Sequence, residues 1–124
     1  MNERASSITV GGKKYELLLT TRATKEISAK FGGLAKMGES LEMSESFEES
    51  LDDLVWLIVL LANQATLRHN FENPDDQRKL LTSEELELYT QPVDLSDFKD
   101  AIFEALVRGT KREVPSGNGD NSKN

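Results

Sequence analysis

The chain has 124 residues, 37% hydrophobic and 30% charged, with a formal net charge of −7. That length fits one domain around one modest core. The absence of cysteine excludes disulfides and thiolate chemistry, and the acidic balance disfavours generic binding to nucleic acid, which is a polyanion. Met1 to Ser7 lack the apolar stretch of a signal peptide. The longest apolar run, Leu54 to Ala62, falls well short of the roughly 20 residues that span a bilayer. The expectation is a buried helix and no membrane contact.

Ile8, Val10, Tyr15, Leu17 and Leu19 alternate with mostly polar neighbours, which predicts a half-buried hairpin. Gly11-Gly12 sits between the two runs and can take the positive φ angles of a tight turn. Leu18 breaks the polar face; it is either covered by a helix or exposed at a partner surface. Thr20 or Thr21 offers a helix cap, and Ala23, Ile27, Phe31 and Leu34 form one helical stripe. Gly32-Gly33 closes that helix. A short amphipathic piece follows through Leu34, Met37 and Leu41.

The main helix is predicted over 44–69. Ser44, or Ser46 with Glu49, supplies its start, and Glu45, Glu48 and Glu49 suit the positive end of its dipole. Phe47, Leu51, Leu54, Ile58, Leu61 and Ala65 make one apolar face. Trp56, Val59, Leu60 and Leu67 make a second, so this helix has to be covered on two sides. The predicted partner or self-association surface is Leu18, Trp56, Leu57, Leu60 and Leu67.

Asn73-Pro74 predicts a short helix through Leu80-Leu81. Thr82 to Glu85 is a capping box that opens another through Leu86 and Tyr89, ended by Pro92. Asp94 or Ser96 caps a last helix carrying Leu95, Phe98, Ile102 and Leu106, which Gly109 stops. The fold class is therefore mainly α, an N-terminal β-hairpin followed by a bundle of four to five helices. One domain covers 1–109, and the polar tail 110–124 is predicted to be disordered.

Catalytic chemistry has little to work with. His69 is the only histidine, with no second His or Cys at zinc-ligand spacing. The acidic stretch 39–53 lacks the order of a calcium loop, and no nucleophile-elbow motif occurs. No enzyme activity, cofactor or metal is expected. Charge is unevenly distributed. Residues 1–36 carry seven Lys/Arg against three Glu, 37–67 carry seven acids and no Lys or Arg, and 68–124 carry eight basic against twelve acidic residues. That asymmetry predicts association of copies through opposed charges around apolar contacts from the main helix. An apolar groove with an acidic rim would suit a long helical partner.

The opening phrase ITVGGKKYELLLTTRATKEISAKFGGL resembles the start of the small tail assembly chaperones of long-tailed bacteriophages. The likeness rests on Tyr15, Leu17, Leu19, Thr20, Arg22, Ala23, Phe31 and Gly32. It continues through Leu-Asp-Asp-Leu-Val at 51–55 and Leu-Thr-Ser-Glu-Glu-Leu at 81–86, and spans residues 7–108. The resemblance implies a mainly helical, self-associating, non-enzymatic protein. It implies binding to the tape measure protein, which the chaperone keeps soluble, and recruitment of tail tube protein subunits before it leaves the finished tail. It implies action in the cytoplasm of a bacterial host, and the short polar tail looks like the shorter of two frameshift products. The rival readings are a small structural tail or connector component of the virion, and an acidic helical adaptor or regulator. A DNA-binding module built on the last two helices is disfavoured by Asp97, Asp100 and Glu104.

Overall fold

The computed structural model describes residues 5–43 and 47–110, without the side chains of residues 5, 43 and 47–49. Strands β1 (Ala5–Val10) and β2 (Lys13–Leu18) pair antiparallel, with Ile8 opposite Tyr15 and Ser6 opposite Leu17. Gly11 and Gly12 join them with φ of +58° and +81°, the pair of positive angles that matches the natural twist of a two-residue hairpin. Five helices follow: α1 (Thr21–Phe31), α2 (Leu34–Met43), α3 (Phe47–Glu72), α4 (Ser83–Tyr89) and α5 (Pro92–Thr110).

The core forms where α3 and α5 pack together against the hairpin. Ile8, Val10 and Leu17 share the inward face of the sheet, because side chains alternate along a strand. They meet Leu54, Leu57, Ile58 and Leu61 of α3 and Ile102, Ala105 and Leu106 of α5 in one cluster. Each fully buried Leu or Ile contributes about 1.5–3 kcal/mol. Ser6, on the same face, donates its hydroxyl to the Ala101 carbonyl at 2.7 Å and ties β1 to α5. Helices α1, α2 and α4 add Ala23, Ile27, Met37, Leu41 and Leu86. By length and composition, Ser50–Glu72 could cross a membrane. Here its middle is buried under the hairpin and α5, as in the core helix of a globular domain.

Local chemistry sets the ends of α1 and α4. Thr20 accepts from the Ala23 N–H at 3.0 Å, and Gly32, at φ +92°, donates its N–H to the Ser28 carbonyl. Thr82 and Glu85 form the reciprocal capping box that starts α4. The predicted caps at Ser44 and Ser46, the acids Glu45, Glu48 and Glu49, the Phe47 side chain and the tail beyond Thr110 lie outside the described residues.

Three boundaries differ from the sequence reading. Residues 73–82 form a turn and an irregular segment, not a helix. Asn73 turns back to close α3, its side-chain amide donating to the His69 carbonyl at 2.9 Å. Asn70 exchanges two hydrogen bonds with the backbone of Arg78, and Gln77 donates to the Asn70 and Asn73 carbonyls. These side chains occupy backbone groups that a helix would have used. Pro92 begins α5 rather than ending α4, which closes at Thr90; Asp94 accepts from the Gln91 N–H at 2.8 Å and secures the new start. Gly109 lies within α5, not beyond it. A Cβ there would lie 2.6 Å from the Leu19 Cβ, so this glycine is required by the close approach of α5 to the end of the hairpin.

Candidate functional site

The predicted surface residues divide by the geometry of α3. At 100° per residue, Leu57 is three residues after Leu54 and four before Leu61, which puts it on the core face. It is fully buried. Leu18 is also buried, on the sheet face opposite Leu17 and outside the central cluster. Neither presents a surface to a partner. Trp56, Leu60 and Leu67 recur at helical spacing on the far side of α3 and are only half-buried.

Those three line one groove with Val59. Its floor is α3, one wall is α1 through Arg22 and Glu26, and the other is Leu80 and Ser83 of the segment leading into α4. The groove encloses about 260 Å³. It continues past Trp56 into a shallow depression along Lys25, Ala29 and Lys30.

Two amide side chains also line the groove, Asn63 and Gln64, and both are committed within the chain. Asn63 donates to the Leu81 carbonyl and accepts from the Leu81 N–H, each at 2.8 Å. Gln64 accepts from the Thr20 hydroxyl and donates to the Leu60 carbonyl. Asn63 thereby fixes the wall at 80–83, and Gln64 fixes the start of α1. The remaining lining is mainly apolar. Sequence reasoning gave Trp56, Leu60 and Leu67 but not Leu80 or the α1 wall, whose placement depends on these long-range bonds.

Trp56 is held at the groove's edge. Its ring meets Phe31 edge to face, with centroids 5.9 Å apart and planes at 73°. The Lys30 ammonium lies 5.2 Å from the Trp56 centroid and 5.7 Å from that of Phe31. The rim is of mixed sign, Arg22 and Glu26, rather than acidic. An acidic rim belongs to a separate depression, where Asp52 and Glu87 flank Leu51, Val55 and Leu95.

Among the described residues no group of three or more His, Asp or Glu side chains could hold a metal. His69 closes a loop: its Nε2 donates to the Asp76 carbonyl at 2.9 Å and lies 3.0 Å from the Asp76 carboxylate. Among the described residues, two groups titrate away from their ordinary range. The Glu85 carboxyl is lowered, first by the Thr82 backbone N–H of the capping box. The Tyr15 hydroxyl is raised, first by burial and then by the Glu85 charge. Glu85 serves the start of α4, and neither group lines the groove. Comparison with protein-family models, curated proteins and solved structures finds no match to this chain.

Proposed function

We propose that this chain is a non-enzymatic tail assembly chaperone of a long-tailed phage or prophage. It holds a helical segment of the tape measure protein and helps to recruit tail tube subunits in the host cytoplasm. The observation that supports this reading is the groove over Trp56, Val59, Leu60 and Leu67. An amphipathic helix presents one apolar stripe along its length, and the groove offers it an apolar floor at positions i, i+3, i+4 and i+11 of α3. The two amides in its lining, Asn63 and Gln64, are already hydrogen-bonded within the chain, so an apolar occupant leaves neither stranded.

Co-expression with the tape measure protein and affinity capture tests the reading. The wild-type chain is expected to retain the tape measure protein in soluble form. Trp56→Ala and Leu60→Asp are expected to lose it while keeping their own fold. Retention by both variants would remove the groove from the account. Mass analysis of purified virions separates the chaperone, which leaves the particle, from a structural component, which stays.

A further inference from the structure

The second depression lies toward the N-terminal end of α3, where that helix meets the α4–α5 junction. Leu51, Val55 and Leu95 give it an apolar floor, and Asp52 and Glu87 stand at its rim. It encloses about 280 Å³. Pockets for drug-sized molecules enclose roughly 300–1,000 Å³, so this one suits a side chain of a peptide rather than a whole small ligand. Asp52 and Glu87 are exposed, and neither has an ion-pair partner among the described residues. Their neighbours in sequence do not neutralise them: 37–67 carries seven acids and 80–98 five, with no Lys or Arg in either stretch. The Gln91 side-chain amide, also in the lining, makes no hydrogen bond within the described residues and is open to a peptide backbone.

We propose that this depression binds a basic linear segment of a partner protein. One aliphatic side chain of that segment fills the apolar floor, and a Lys or Arg on each side of it pairs with Asp52 and Glu87. The opposed charges orient the segment, whereas the apolar contact supplies most of the affinity, because exposed ion pairs contribute little. The same rim repels a nucleic acid or an acidic peptide. The groove over Trp56 differs in having a longer floor and a rim of mixed sign. The two sites share no lining residue, so the inference stands apart from the tape measure reading.

Fluorescence anisotropy at low salt tests it, with a labelled Lys-Arg-Ser-Leu-Ser-Arg-Lys peptide as the probe. The wild-type protein is expected to bind the peptide saturably, at one site per chain. Asp52→Lys/Glu87→Lys alters two exposed positions, and far-UV circular dichroism verifies its fold. This double variant is expected to bind the probe about tenfold or more weakly, because like charges then meet. It gains binding to Glu-Asp-Ser-Leu-Ser-Glu-Asp in return. Replacing the probe's Leu by Ser keeps every charge and also costs about tenfold, since the apolar floor is left empty. Leu67→Ser alters the groove about 18 Å along α3 from Val55 and leaves binding within about twofold. No saturable binding, an unaffected double variant, a Ser peptide that binds as well as the Leu peptide, or binding lost with Leu67→Ser would each overturn the proposal. If sedimentation shows that the double variant instead loses association between copies, the face belongs to a second copy and the proposal fails.

Discussion

Leu57 and Leu60 are one helical turn apart on α3 and meet opposite environments. Leu57 is fully buried in the core, whereas Leu60 lines the groove and is half-exposed. Leu57→Asp places a carboxylate among apolar side chains and is expected to cost more than about 4 kcal/mol, enough to unfold a marginal domain. Leu60→Asp is expected to leave most stability intact and remove partner binding; thermal melts of the two variants check the split. Gly109 gives a second prediction at this scale. Gly109 is the last but one residue of α5, and alanine is favoured over glycine in a helix by at most about 1 kcal/mol. Here its Cβ would press on the Leu19 Cβ at 2.6 Å, close to the hairpin backbone and unable to swing away. The clash decides the sign, and Gly109→Ala is expected to lose about 1–3 kcal/mol in a denaturant titration.

The segment 73–82 and helix α4 behave as one element with two anchors. The first is Asn63, whose amide satisfies both backbone groups of Leu81. Asn63→Ala strands those two groups and is expected to cost about 2–4 kcal/mol. Hydrogen exchange is expected to speed up at 77–82 first, because the groove wall loses its tie. The second anchor is the capping box. Glu85 has a lowered folded pKa, so its stabilisation is present above the ordinary carboxylate pKa and lost as pH falls through the depressed value. Helix α4 is therefore expected to loosen on acidification below about pH 4.3, and Glu85→Gln to flatten that dependence. Far-UV circular dichroism against pH measures both. This element also marks how much was legible in the sequence. The hairpin, the α1 caps and the Thr82 box were readable because each depends on residues within a few positions of one another. Asn73-Pro74 has the same local signature as a helix start, and only the bonds from His69, Asn70 and Gln77 decide against it. Trp56, Leu60 and Leu67 were readable from their spacing. The α1 wall and Leu80 were not, since they reach the groove through contacts of Gln64 with Thr20 and Asn63 with Leu81.

Across the whole molecule, the hairpin and α5 cover one side of α3 and leave the other side as a groove between α1 and the 80–83 segment. A helix apolar on both faces is thus half core and half groove lining, which explains how so small a domain accommodates it. The proposed helical client would meet this apolar floor. The chain's only tryptophan, Trp56, stands at its edge and reports on occupancy. The most direct test titrates the protein with a tryptophan-free helical segment of the tape measure protein while following Trp56 emission and its quenching by acrylamide. The account predicts a saturable blue shift and loss of quenching, both abolished by Leu60→Asp. Binding with Trp56 emission and quenching unchanged, or no binding at all, would contradict it.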